Sequence, residues 1–352
     1  MSKRLIDILG KLGPFFALII IIIFFRNRAG EVFFSPRNIS NIIQQTSVIA
    51  IGAVGMTFII VSAGIDLSAG SLIAFSGVCS AMAVVATGNI YVGILVAVSV
   101  GCLCGILNGV VITKGKLPPF IVTLGMLEIL RGSAYQITGG LPVDTNIPQA
   151  FTNISNSVFT IPIGGTELII PYLFLILIPV AIIGGFILKY TVFGVQVYAV
   201  GSNEQTAKLC GVNVDRVKIM VYALGGFLVG LAGLLQASRL RSGQPSTAIG
   251  LELDIIAAVV VGGGSLMGGE GTIIGSVIGA FIIRILRNGC VLMDISPYVQ
   301  RIIIGIIIIL AVYVDQMRRM SKEERNEMFR RIFIVLIYPY NMIFKRLSKP
   351  AK

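Results

Sequence analysis

No histidine occurs in the 352 residues of this chain. Ser-His-Asp catalysis, His-ligated zinc and haem held by a histidine are excluded with it. Charge is scarce as well: 12% of residues are Asp, Glu, Lys or Arg, against about 25% in soluble domains. The five cysteines, Cys79, Cys102, Cys104, Cys210 and Cys290, form no CxxC pair, and four of them lie in or beside apolar runs. Packing as small hydrophobes accounts for them better than metal or disulfide chemistry. A GxxxxGK[ST] phosphate loop is missing, so the chain has no visible means of hydrolysing ATP. Carboxylates do not cluster, which argues against a membrane enzyme. No metal and no cofactor is expected from this residue set.

What is present is apolar. Hydrophobic residues make up 55% of the chain, and the mean hydropathy is +0.93. The fold class this implies is an all-α integral membrane protein, counted in spans of about 20 residues. The net charge of +12 is a topology signal, because Lys and Arg collect in cytoplasmic loops. Scattered between apolar runs, these residues do not make a nucleic-acid surface.

Ten spans are expected in order: Leu12–Phe25, Ile39–Val61, Leu72–Thr87, Tyr91–Ile112, Pro118–Thr138, Leu168–Leu188, Ile219–Gln236, Leu253–Val261, Thr272–Asn288 and Pro297–Val314. The first follows basic Lys3, Arg4 and Lys11 without a convincing cleavage site, so it reads as a retained span starting in the cytoplasm. The eighth is too short to cross unaided. Lys114 and Lys116 place one loop inside, while Gly139–Glu167, free of Lys and Arg, reads as an external loop open to a soluble partner. Arg26, Arg28, Arg37, Arg239 and Arg241 fall on the external side, as exceptions to the positive-inside tendency. Residues 1–315 form the membrane domain. Residues 316–352 form a basic cytoplasmic tail whose apolar Ile332–Phe344 reads as an interfacial helix. Both termini are then cytoplasmic.

Three features interrupt the apolar pattern. Gly64-Ile65-Asp66-Leu67-Ser68-Ala69-Gly70-Ser71 puts a carboxylate, hydroxyls and glycines between two spans. Such backbone is tolerated at membrane depth when it is buried or lines a cavity. The stretch reads either as part of a substrate path or as a helix cap at Asp66 or Ser68. Since Asp66 follows an inward span, an inner gate or re-entrant turn fits it better than a midplane ligand. The second feature is Ser202-Asn203-Glu204-Gln205, which fits a capping box with Ser202 as N-cap. It opens a two-turn helix through Ala207 that closes at Gly211. This short cytoplasmic helix reads as a knob for a motor protein or as a helix lying on headgroups. The third is Gly262–Gly271, including Gly264 and Ser265. Without a following Lys it is no phosphate cradle, and close backbone packing or a hinge is expected.

Two segments also repeat. Ile106-Leu107-Asn108-Gly109-Val110 with Pro118 and Gly125 resembles Leu286-Arg287-Asn288-Gly289-Cys290 with Pro297 and Gly305. By span counting they run in opposite directions, which is the pattern of an inverted-topology repeat in transporters.

Together these stretches resemble the permease subunits of bacterial ABC importers for monosaccharides, and within them the ribose permeases. The similarity rests on Asn41–Val48, Ala53–Thr57, Gly64–Leu72, Leu130-Arg131-Gly132, Gly201–Lys218, Ala237–Leu240, Gln244-Pro245, Glu252–Val260 and Gly263–Gly269. The resemblance implies an inverted-repeat permease of about ten transmembrane helices in the bacterial cytoplasmic (inner) membrane. It implies a separate cytoplasmic ABC ATPase docking near Asn203, an extracytoplasmic sugar-binding protein, and a second permease subunit, with a homodimer expected. Gly64, Asp66, Ser68, Gly70, Gly264 and Ser265 are the candidates for the monosaccharide's path or gate, and Ser202, Asn203, Glu204, Ala207 and Gly211 for ATPase coupling. Arg284 and Arg287 depart from the pattern, standing where uncharged residues are expected. Other cargo on the same scaffold (a nucleoside, a furanosyl signal molecule, a branched-chain amino acid) and an ion-coupled secondary transporter are the alternatives.

Overall fold

The computed structural model of the chain describes residues 3–163 and 166–319. The chain divides into a unit up to Ile308 and a second from Ile309, described only as far as Arg319. The expected interfacial helix Ile332–Phe344 lies outside the described residues.

Helices dominate. In chain order they are α1 (Lys3–Ala29), α2 (Pro36–Val61), α3 (Ala69–Thr87), α4 (Ile90–Lys114), α5 (Pro119–Thr138), α6 (Gln149–Asn156), α7 (Tyr172–Tyr190), α8 (Val192–Ser202), α9 (Glu204–Leu209), α10 (Val214–Leu240), α11 (Leu251–Val261), α12 (Ile273–Leu292) and α13 (Pro297–Arg319). A hairpin of β1 (Val158–Ile163) and β2 (Thr166–Pro171) precedes α7, with Val158 opposite Pro171. Seven helices, α2, α3, α4, α7, α10, α12 and α13, are long and apolar enough to cross a bilayer. Helices α1, α5 and α11 stand where the other three spans are expected.

Helix α10 organises the first unit by packing against α2, α3 and α4. The contact with α4 is glycine on glycine. A Cβ on Gly109 would stand 2.8 Å from Ile219 Cα, one on Gly101 2.7 Å from Gly230 Cα, and one on Gly105 would overlap Tyr222 O. Small residues at this spacing let two backbones touch, and dispersion over the close contact replaces the hydrophobic drive that lipid cannot supply. Gly101, Gly105 and Gly109 are thus packing positions against α10.

The same contacts give direction. Gly55 meets Gly225 while Gly64 meets Tyr222, and Gly101 meets Gly230 while Gly109 meets Ile219, so α2 and α4 both run against α10. Helix α12 runs against α2: Asn288 bonds Asn38, and Ser276 bonds Thr57. The two repeat units therefore have opposite polarity. Asn108 lies near the Val61 end of α2 and Asn288 at its Pro36 end.

Several sequence expectations change. The sixth span begins at Tyr172, not Leu168, because Val158–Pro171 carries strand-type β-branched and aromatic residues that pair as a hairpin. The connection 139–167 is not a free loop. Its α6 buries Phe151, and Ser155 Oγ donates to Leu235 O at 2.8 Å, seating the segment on α10. Helix α10 runs four residues beyond Gln236, so Arg239 belongs to its last turn rather than to a loop. The short helix expected from Ser202 is α9, which starts at Glu204, and it is preceded directly by α8, which the sequence reading did not give.

Candidate functional site

The polar stretch after α2 is folded back into the bundle. Gly64 N–H donates to Ile59 O at 2.9 Å, and Tyr222 Oη donates to Ile65 O at 3.0 Å. A side chain at Gly64 would stand 2.8 Å from that phenol oxygen, so glycine is needed for the approach. Asp66 is 1% exposed. Its Oδ1 accepts Ser68 N–H at 2.8 Å and Ser68 Oγ–H at 2.5 Å. Ser68 Oγ in turn accepts from Asn108 Nδ2 at 3.1 Å. Asp66 thus does the work of a cap at the start of α3 and at the same time anchors a buried network, while Ser68 makes no cap bond with its own side chain. Asn108 Oδ1 is buried without a hydrogen-bond partner, a departure from the usual full pairing of buried polar atoms. Asn108 and Tyr222 were not singled out as site residues from sequence. Asn108 carried only the repeat pattern, and a lone Tyr inside an apolar span carries none.

Gly70 is where this stretch reaches the rest of the bundle. Its Cα hydrogens face Glu252, and a Cβ there would overlap the Glu252 carboxylate and stand 2.7 Å from Ala248 O. Ala248 and Glu252 lie on two neighbouring cavities that share Ile249. One, of about 210 Å³, opens beside Glu128, Arg131 and Tyr135 of α5 and Glu252. The other, of about 220 Å³, has Gln45 of α2, Gln236 and Arg239 of α10, Arg284 of α12 and the 248–251 turn on its walls. Arg131 Nη1 holds that turn in place, donating to Pro245 O at 2.6 Å and Thr247 O at 2.7 Å. Asp66 and Ser68 line neither cavity.

The glycine run closes α11 and packs tightly. Gly264 N–H donates to Val259 O at 2.8 Å, and Ser265 N–H to Glu270 O at 3.0 Å. Ser265 is fully buried in its own turn, and Met267 N–H donates to its Oγ at 3.3 Å. Neither Gly264 nor Ser265 lines a described cavity. The loop instead docks on two other features: Gly269 N–H donates to Val61 O at 2.9 Å, and a Cβ on Gly268 would stand 2.7 Å from Gly201 O. Tyr198 Oη adds a bond to Gly271 O at 2.6 Å. The end of α2, the end of α8 and the glycine loop therefore form one backbone-to-backbone junction.

Helix α9 follows that junction directly. Ser202 is the last residue of α8 and not an N-cap; the cap is Asn203, whose Oδ1 accepts Thr206 N–H at 2.8 Å. Continuation of α8 keeps Ser202 helical, so the Ser202–Gln205 box does not form. Glu204 pairs with Lys218 at 2.6 Å, and Ala207 is buried beneath. Gly211, at φ +85°, ends the helix, with Val212 N–H donating to Ala207 O at 3.1 Å. The exposed face carries Leu209, 88% exposed, beside Lys208 and Cys210.

A helical membrane bundle with inverted repeats, internal polar cavities and a capped surface helix at one end is the anatomy of a transport permease. The family described as "branched-chain amino acid transport system / permease component" matches residues 38–312, and the chain belongs to that family. It is similar to the ribose import permease of Haemophilus influenzae, 44% identical over 85% of this chain and 91% of the relative. The ribose import permease of Bacillus subtilis is 39% identical over 88% of this chain and 94% of its own length. The L-arabinose transporter permease of Azospirillum brasilense is 39% identical over 82% of each. No solved structure matches the chain. It is a transport subunit and a multi-pass inner-membrane protein, not an enzyme.

Proposed function

We propose that this chain is the membrane-spanning subunit of an ATP-driven importer carrying a monosaccharide, ribose or a similar pentose, across the inner membrane. The observation that carries this reading is the chemistry inside the bundle. Two cavities lined by amides, guanidiniums and two carboxylates sit within an apolar fold, and hydroxyls in transit must exchange water for protein hydrogen bonds. Similarity to ribose and arabinose permeases supports the sugar class over the amino-acid cargo in the family's description.

On this reading the bundle has ten spans, and the end bearing α9 is cytoplasmic. Lys114, Lys189, Lys208, Arg216 and Lys218 gather there, which is the positive-inside arrangement. Both termini lie on that side. A separate ATPase grips the face of α9 carrying Leu209, and an external sugar-binding protein delivers cargo to the opposite end. A second copy of the chain completes the importer. Motion of α9 reaches Val61 and Ala63 through the Gly201–Gly269 contact. From there it passes along the Asp66–Ser68 stretch to Gly70, which abuts Glu252 and Ala248 on the cavity walls. Asp66 and Ser68 act in this scheme as the inner gate, and Gly264 and Ser265 as the shape of its hinge.

The test is purification of the chain from native membranes, followed by uptake in proteoliposomes. The reading expects a nucleotide-binding subunit in the complex and uptake of labelled D-ribose that stops without ATP. Uptake driven by an ion gradient in the absence of ATP would overturn it, as would uptake of L-leucine with none of any sugar.

A further inference from the structure

The larger cavity holds more positive charge than a neutral sugar calls for. Arg239, Arg284 and Arg287 converge on one corner of the bundle, where Asp254 pairs directly with Arg287 and attracts Arg284 from beyond contact. Arg287 Nη2 meets Asp254 Oδ1 at 2.7 Å, with the Asp254 side chain 3% exposed. Arg284 Nη2 donates instead to the amide oxygen of Gln45. Arg239 Nε and Nη2 both donate to Gln236 Oε1, each at 3.3 Å, which is long for a charged donor. Among the described residues no carboxylate lies within ion-pair distance of Arg239 or Arg284. Two guanidiniums therefore face the same cavity of about 220 Å³ with neutral amides as their hydrogen-bond partners, and Asp254 reaches Arg284 only at longer range.

Charges inside a membrane bundle are costly unless they pair or face a wet cavity, and they mark substrate pathways when they do. Arg284 and Arg287 lie three residues apart on α12, with Arg239 of α10 near them. Arg287 takes the buried Asp254 as its direct partner, and Arg284 adds a second cation without a direct carboxylate partner to the cavity that Arg239 lines. The cavity has room for roughly seven waters at about 30 Å³ each, the scale of a small polyol.

We propose that this cavity is an anion-recognising subsite and that the cargo is a monosaccharide bearing a carboxylate, an aldonate or uronate. The carboxylate sits between the Arg239 and Arg284 guanidiniums, whose planar forks match its two oxygens. The Gln45 and Gln236 amides, released from the arginines, turn to the sugar hydroxyls. This inference rests on the sugar-importer reading and sharpens its substrate class.

The experiment uses the purified full chain in lipid nanodiscs, with D-ribonate and D-ribose as probes and thermal stabilisation as the readout. D-ribonate is expected to stabilise the wild type at concentrations at least about tenfold below D-ribose. Arg284→Gln should raise the D-ribonate concentration needed by about tenfold or more, well beyond any change in the D-ribose response, while Arg284→Lys, which keeps the charge, should fall in between. Equal responses to the two probes in the wild type would overturn the proposal without reference to any variant, and so would an unchanged D-ribonate preference in Arg284→Gln. ATP-driven uptake of both probes by the assembled importer separates the two levels. Uptake of ribose in preference to ribonate sinks the anion subsite and leaves the importer standing, and uptake of neither removes the reading beneath it.

Discussion

Gly201→Ala probes the junction on which the proposed coupling depends. The added Cβ would overlap Val61 O and stand 2.8 Å from Gly269 N, inserting itself between the two partners of the Val61–Gly269 hydrogen bond. All three groups are backbone, so no side chain can swing aside. Overpacking of this kind costs about 1–3 kcal/mol, and loss of the buried hydrogen bond adds about 1 kcal/mol. Alanine's better helix propensity at the end of α8 returns up to about 1 kcal/mol. The net is about 1–3 kcal/mol, confined to the contact between α8 and the glycine loop. At about 1.4 kcal/mol per decade, amide exchange in residues 262–272 should accelerate roughly ten- to hundredfold. Hydrogen exchange with mass spectrometry reads this directly, with Gly125→Ala as the control because a Cβ there meets nothing within 4 Å. The same Gly201 variant should lose ATP-driven uptake while exchange across α4 and α10 stays as in the wild type. Unchanged protection of 262–272 together with normal uptake would refute both the junction and the route drawn through it.

Ser68→Ala removes the hydroxyl between Asp66 and Asn108 and leaves a buried carboxylate and a buried amide each short of a partner. At about 1–3 kcal/mol for each unsatisfied group, a clear drop in thermal stability in detergent is expected, and an unaltered melting curve would count against the network. Glu204→Lys breaks a pair whose side chains are 55% and 19% exposed, so stability should change by less than about 1 kcal/mol. Its effect should appear in transport-coupled ATP hydrolysis, and normal coupling would remove α9 from the docking surface. Asp254→Ala strands the Arg287 guanidinium, a loss of about 3 kcal/mol or more for a buried pair. The double variant Asp254→Leu, Arg287→Leu should recover most of that stability, and a double variant as unstable as the single one would show the pair is not the cause.

Features written in local pattern were legible from the sequence, and those made by contact were not. Hydropathy located α3 and α4 to within a few residues, but it placed the starts of α1 and α10 at Leu12 and Ile219 where the helices begin at Lys3 and Val214, because polar residues continue both helices past the apolar run. It misplaced the start of α7, because Leu168–Pro171 is as apolar as a span yet pairs with 158–161. It also put the α9 cap one residue early, since Ser202 and Asn203 are both good caps and only the continuation of α8 chooses between them. The role of Gly70 depends on Glu252 lying against it, 182 residues away along the chain (252 minus 70), which no local spacing reveals.

By itself the sequence determined that this is a helical membrane transport subunit without its own catalytic machinery. Composition decides the membrane part: too little charge and apolar runs of span length leave one solvent, while the transport role comes from the resemblance to sugar-importer permeases. It also displayed its anomalies, the polar stretch at Asp66, the glycine run and the arginines at 284 and 287. Tertiary structure decided what those anomalies are to one another. Antiparallel packing of α2, α10 and α12 brings Gln45, Arg239 and Arg284 to one cavity. The glycine contacts join Val61, Gly201 and Gly269 into one joint. Which polar groups meet is a property of helix register and crossing, and a chain of interchangeable apolar residues carries almost no local record of either.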